Sequence, residues 1–253
     1  MSNLLLEEMT WPEIKTALDN GFNKVIIPSG SIEQHGPHLA QLSDTVIAEA
    51  SAVDLAKRLG KTLVAPVIRP GLSDHHLSLP GTISLRPEIF SGLIEDYINS
   101  YKNHGFKQFI MISSHGGNFS ALDEIASKLS QKHPNLKFVT GLSLQDLLDL
   151  ISSMEADENM PEGACGGHAC DYETSVLLYL FPQHVRMDKA RAGYVGKPTR
   201  EVLDQIYKGG IAAVSETGVL GNPCYAKAER GKRYFEKEQE TLFKTVKEKL
   251  NEQ

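Results

Sequence analysis

Four short apolar runs, "NKVIIPSGS" (23–31), "TLVAPVI" (62–68), "KQFIMISS" (107–114) and "LKFVTGL" (136–142), alternate with segments of helical period. Runs this short, rich in β-branched residues and bounded by turn formers, read as buried strands. Between them the period predicts helices over 45–60, stopped by Gly60; over 87–105, with Pro87 in the first turn and Gly105 at the end; and over 119–133. The alternation predicts an α/β fold of three layers (α/β/α), a mostly parallel central sheet with helices on both faces. Residues 69–86 and 143–170 read as irregular, 172–181 as a buried helix and 225–250 as a charged amphipathic helix. No repeat, low-complexity tract or linker interrupts the chain, so residues 1–253 read as one domain.

Charge and apolar content narrow the partners. With a formal charge of −6 and scattered basic residues, the chain lacks the electrostatic footprint of a nucleic-acid-binding protein. Its longest apolar stretch, "VLLYLF" (176–181), is core-sized and far short of a membrane span. The start, "MSNLLLEEMTW", follows three leucines with two glutamates, unlike a signal peptide. Cys165, Cys170 and Cys224 are odd in number and lack CxxC spacing, which argues against a disulfide scaffold. The expectation is a cytoplasmic protein that acts on a small molecule, not on nucleic acid or membrane.

Open α/β sheets bind ligands beyond the carboxyl ends of their strands, and two of the predicted strands end in polar clusters. The first runs into "GSIEQHGPHLAQLSD" (30–44) and the third into "SSHGGN" (113–118). Glu33 and His35 are two apart, so in extended chain they point to one side and approach a common centre. Asp44 sits directly before the helix at 45, where it reads as an N-cap with an oxygen left over for a cation. His115 ends an apolar strand, and two glycines after it admit close approach. Asn118 takes the N-cap of the next helix.

Glu173 lies in the first turn of a helix that continues into "VLLYLF". A carboxylate so placed needs a partner, and a cation would serve. His168, five residues earlier, is either a surface-loop histidine or a proton shuttle. Ser73, Asp74, His75 and His76 fall in the long irregular stretch, as a binding loop or as surface decoration in equal measure. Together, two histidines and three carboxylates at element ends suit two divalent ions of the Zn, Mn or Fe kind. Two such ions share a carboxylate and can hold a bridging hydroxide as nucleophile. Lys189, Arg191, Lys197 and Arg200 are candidates to grip an anionic substrate group, although scattered basic residues on a polar segment are more often solvated surface.

"GSIEQHGPHL" with Asp44, "SDHHLSLPGTISL", "SSHGGN", "HACDYETS" and "ETGVLGNPCYAKAERGK", in this order along nearly the whole chain, resemble the creatininase (creatinine amidohydrolase) family. The resemblance implies an α/β/α fold, a dinuclear metal centre and hydrolysis of carbon–nitrogen bonds other than peptide bonds. Carried over motif by motif, it implies that Glu33 and His115 hold one metal with Asp44, that His35 and Glu173 hold the other, and that Asp44 bridges. His168 matches the family's catalytic histidine, and Ser73 and His76 match a substrate-loop pattern. Family members commonly form hexamers, which implies a homo-oligomer.

Two departures bear on the substrate. Where creatininases carry His-Tyr-Glu, this chain has His115-Gly116-Gly117, and Glu173 takes the place of the missing glutamate. Creatininases clamp the creatinine ring with tryptophans, whereas the one tryptophan here, Trp11, lies away from every motif. The chain fits better the branches with His-Gly-Gly-Asn, which deformylate a formamidopyrimidine nucleotide, cleave a modified peptide in cofactor maturation or open sugar-derived rings. The expected reaction is attack by a metal-bridging hydroxide on an amide carbonyl, with His168 passing a proton to the leaving nitrogen. Rival readings keep the ligands and change the chemistry: a dinuclear hydrolase of a phosphoester or sugar-derived ring, or a non-catalytic metal-binding subunit.

Overall fold

A computed structural model of the chain describes residues 3–196 and 199–251. Four strands, β1 (Lys24–Ser29), β2 (Thr62–Val64), β3 (Gln108–Ser113) and β4 (Lys137–Thr140), form one parallel sheet in the order β2-β1-β3-β4. Ile26 of β1 stands level with Val64 on one side and Ile110 on the other. The chain runs outward from β1 to β2, then crosses back over β1 to place β3 on its far side. That reversal opens a crevice beyond the carboxyl ends of β1 and β3, the switch point at which open α/β sheets bind ligands.

The helices are α1 (Trp11–Asp19), α2 (Ser43–Leu59), α3 (Pro87–His104), α4 (Phe119–Lys132), α5 (Leu144–Asp157), α6 (Asp171–Leu180), α7 (Arg200–Gly209) and α8 (Ala228–Asn251). Val25, Ile27, Phe109 and Met111 face α1, α3 and α4, whereas Ile26, Ile110, Ile112 and Val139 face α2, α5, α6 and α8. Both faces of the sheet are covered, which is why the strands read as unbroken apolar runs rather than alternating ones.

Several elements differ from the sequence reading. Residues 143–170 contain α5, nucleated by a reciprocal bond between Ser143 and Asp146, and α1 starts on a similar pair, Thr10 and Glu13, with Pro12 at its second position. β2 ends at Val64, and a turn of 3-10 helix at Asp74–His76 interrupts the irregular stretch. Most consequential is the start of α2. It begins at Ser43, with Leu42 in the cap position, so Asp44 lies inside the first turn and caps nothing. The physical reason is competition: two imidazoles, His35 and His115, stand 3.2 and 3.4 Å from its oxygens, and charged partners outbid a backbone N–H. Asn118 does occupy the position before α4 but makes no capping bond. Its amide donates to Gly30 O at 3.0 Å and accepts from Leu72 N–H at 3.0 Å, tying the end of β1 to the loop that carries His76. Among the described residues no helix is long and apolar enough to cross a membrane.

Candidate metal centre

The site begins where β1 ends. A Cβ at Gly30 would stand 2.7 Å from Thr45 Cα and N, so glycine there lets the first turn of α2 press against the strand end and delivers Asp44 beside residues 31–35. β3 contributes His115 from the neighbouring strand end. At Gly117 a Cβ would lie 2.2 Å from Leu72 O and 2.6 Å from His115 Nε2, so the second glycine of the pair lets the 72–76 loop close over the histidine. Glu173 comes from the first turn of α6 and accepts the Ala169 N–H. Ala169 takes a left-handed conformation, with φ 49°, and Leu220 N–H holds the carbonyl of His168 at 2.9 Å. Glu33, His35, Asp44, His115, His168 and Glu173 converge from these separate elements, none more than 8% exposed.

Glu33 is at the middle. Its Oε2 accepts from Ser31 Oγ at 2.8 Å and lies 3.1 Å from His115 Nδ1. Its Oε1 lies 3.2 Å from His76 Nε2 and 3.7 Å from His168 Nδ1, yet no well-angled hydrogen bond reaches it. Asp44 Oδ1 faces His35 Nε2 at 3.2 Å, and its Oδ2 is likewise buried without a hydrogen bond. Carboxylate oxygens stripped of water and left without donors are costly, and a cation among them removes the cost. Three groups of ligand atoms lie within 4.8 Å of one another: Glu33, His35 and Asp44; His35, His168 and Glu173; Glu33, His76 and His168.

The histidine tautomers separate ligands from donors. His35 Nδ1 meets Glu33 O at 3.2 Å, His115 Nε2 meets Leu72 O at 3.0 Å, and His168 Nε2 meets Gln34 O at 2.9 Å. A carbonyl only accepts, so each ring puts its N–H outward and turns the other nitrogen to the carboxylates, the arrangement of metal-binding histidines. His76 is opposite. The Gln34 side chain is oriented by accepting from Gly36 N–H at 3.0 Å and donating to Gly218 O at 3.1 Å. Its nitrogen lies 2.8 Å from both His76 Nδ1 and His168 Nε2, and since the latter gives its hydrogen to Gln34 O, the second amide hydrogen is assigned to His76 Nδ1. His76 Nε2 therefore carries the proton and presents it to Glu33.

Electrostatics agree with a site short of positive charge. Burial would raise Glu33, but His115 and His76 hold it well below the usual carboxylate range. Burial would lower His35, but Asp44, aided by Glu173 and Glu33, carries it up to about 10. His115 rises well above the usual range in the same way, against burial, through Glu33 and Asp44. Burial pushes the Glu173 carboxyl far up. Without metal, then, protons on His35, His115 and Glu173 stand in for cations. His168, buried and repelled by His35, falls to about 3 and is neutral.

The cluster floors a cavity of about 110 Å³, walled by Leu144, Leu147, Leu148 and Ile151 of α5 and by Leu203, Ile206 and Tyr207 of α7. His76 lines this cavity; Ser73 does not. Ser73 is fully buried, its hydroxyl 2.7 Å from Ser31 Oγ and 3.2 Å from His115 Nε2, behind the ligands rather than over a substrate. The cluster of residues 73–76 is thus not surface decoration except at Asp74. Lys189, Arg191 and Arg200 are exposed and absent from the cavity wall, and Lys197 lies outside the described residues. Gln34 and Ser31, which orient the histidines and Glu33, were not singled out by the sequence.

Comparison with known proteins bears on the fold and the family. The family model described as "Creatininase: Creatinine amidohydrolase" matches residues 7–246. A mycofactocin precursor peptide peptidase of Mycobacterium tuberculosis (strain CDC 1551 / Oshkosh) is 35% identical over 223 residues, which cover 83% of this chain and 79% of that protein. A creatinine amidohydrolase of Pseudomonas putida is 27% identical over 199 residues, 74% of this chain and 75% of the other. A solved structure described as "Creatininase Mn" superposes with a TM-score of 0.82 at 22% identity, covering 99% of this chain and all of that one. The α/β architecture is therefore creatininase-like, and the chain belongs to the creatininase family of hydrolases.

Proposed function

We propose that the protein is a two-metal hydrolase that cleaves an amide-type carbon–nitrogen bond. Glu33, Asp44 and His115 would hold one cation and His35, Asp44 and Glu173 the other. The observation that carries this reading is convergence: His35 Nε2 and His115 Nδ1, the ring nitrogens not given to backbone carbonyls, face Asp44 and Glu33, and Asp44 keeps a buried oxygen without a hydrogen bond. Such ions, when bound, activate water and stabilise negative charge on a carbonyl oxygen.

The protein groups do the rest. His168 is anchored through Nε2–H on Gln34 O, so its Nδ1 faces the cluster as an acceptor. It takes the proton of the attacking water and returns it to the leaving nitrogen. The N–H of His76 steadies Glu33, and the leucines of α5 receive the remainder of the substrate.

The relatives bear on the bond. One is named as a peptide peptidase and another as a creatinine amidohydrolase, so short peptides stand beside cyclic amides and formamides, and a restriction to non-peptide bonds is not kept. Mn stands beside Zn and Fe as the ion, with support from the description of the matched structure. Elemental analysis of protein purified without added metal should find close to two divalent ions per chain. A panel of short peptides, lactams, formamides and phosphate esters should then show turnover among the amides alone. Phosphate-ester turnover without amide turnover, or inert amides with both metals bound, overturns the reading. His168→Ala should keep its metals and lose about 10²–10⁴ in turnover, whereas Asp44→Asn should lose metal as well.

A further inference from the structure

The cavity contains one acid that the metal cluster does not use. Glu238, on α8, is 9% exposed and lines the cavity beside Leu147 and Tyr172. Tyr172 Oη donates to its Oε2 at 2.6 Å, and no other hydrogen bond or ion pair to this carboxylate is found among the described residues. The contrast with Asp171 is informative. That buried acid, also on the α6–α8 contact, receives two bonds from Arg230, at 3.0 and 2.7 Å. The fold supplies a cation to one acid and leaves the other with a single neutral donor, facing open space. Burial accordingly pushes the Glu238 carboxyl up to about 7, offset only in part by Tyr172. An acceptor desolvated without a full set of donors is costly, so an incoming N–H or O–H group gains by reaching it.

We propose that Glu238 selects the substrate, accepting a hydrogen bond from an N–H or O–H group at the tip of an otherwise apolar substrate arm. The inference rests on the cavity being the active site of an amide hydrolase and adds the class of substrate. The arm lies along Leu144, Leu147, Leu148 and Ile151, which offer it no polar side chain. A primary amine brings the charge that Glu238 lacks; a hydroxyl brings the hydrogen bond alone.

Linear hydroxamic acids of four to eight carbons, ending in methyl, hydroxyl or amine, test this by calorimetry on the metal-loaded protein, since the hydroxamate anchors at metal and no turnover is needed. At one chain length the hydroxyl- or amine-tipped probe should bind at least tenfold more tightly than its methyl-tipped match. Glu238→Leu should abolish that preference. Glu238→Gln, nearly isosteric, should keep a hydroxyl preference and lose an amine preference. Methyl-tipped probes that bind equally well at every length, a preference that survives Glu238→Leu, or no binding by any probe overturns the proposal. A preference that depends on Glu238 in a protein that hydrolyses no amide upholds Glu238 as the selector and sinks the assigned reaction instead.

Discussion

His76 lies as near to Glu33 as His115 does, yet it presents the one proton of a neutral ring, where the ligand histidines turn a nitrogen that a metal can claim, and Gln34 makes the difference. Replacing Gln34 by Leu removes the donor to His76 Nδ1 and frees that ring to take either tautomer. Metal content should hold while kcat/KM falls about 10–100-fold, the usual cost of losing a group that orients a metal site; loss of metal in that variant would contradict the assignment of His76 as a donor. The proton inventory gives a second expectation. His35, at about 10, and His115, well above its ordinary range, are protonated at neutral pH in the metal-free protein. Each must lose a proton to ligate, as must Glu173, whose carboxyl burial pushes far up, so loading should release about three protons per chain and tighten as pH rises. Titrating Zn or Mn into lightly buffered metal-free protein measures the release directly. Glu33, His35 and His115 were legible because strand-end position and spacing are local. Gln34 was not, since its partners His76, His168 and Gly218 lie 42, 134 and 184 residues away.

At the scale of elements, the site depends on how α6 meets α8. Asp171 and Glu173 share the first turn of α6, and Arg230 of α8 grips Asp171, which also accepts from Tyr234 Oη at 3.3 Å. Arg230→Met should leave a buried carboxylate unpaired and cost about 3–5 kcal/mol. Because the same turn carries Glu173, metal should bind more weakly too. Adding Asp171→Leu should recover most of the stability, since replacing both members of a buried pair is far milder than removing one; equal urea midpoints for single and double variants would contradict this. The strands, α3 and α4 were legible from apolar runs bounded by Pro and Gly. α5 carried its own start signal, Ser143 with Asp146, but ran into the Gly- and Cys-rich 163–170 segment and was absorbed into it. The early start of α2 was hidden for a different reason: Asp44 has the identity of a cap, and only the tertiary approach of His35 and His115 turns its carboxylate away.

For the whole molecule, the buried ionisable groups set opposing slopes of stability against pH. His38 and His75 are lowered to about 4 and His168 to about 3, chiefly by burial. The folded protein refuses protons that the unfolded chain takes up below its ordinary histidine value near 6.5, so these groups make stability rise as pH climbs from about 3 to 6.5. Glu238, raised to about 7 by burial, works the other way between 4.5 and 7, as the unfolded carboxyl ionises first. Above 6.5 the first set is exhausted. His35, raised to about 10 by Asp44 over the opposing effect of burial, then loses its stabilising proton as pH increases, and His115 does the same. Metal-free protein should therefore be most stable near pH 6.5, with four depressed histidines, His76 included, prevailing over Glu238 and the raised Glu173 on the acid side and a falling limb up to about pH 10. Bound metal displaces the protons on His35 and His115, so the alkaline limb should vanish on loading while the acid limb remains. Thermal melts of both forms from pH 5 to 10 measure this: a metal-free protein equally stable at pH 6.5 and 9.5 would mean that His35 and His115 do not hold those protons, and that the cluster is not waiting for cations.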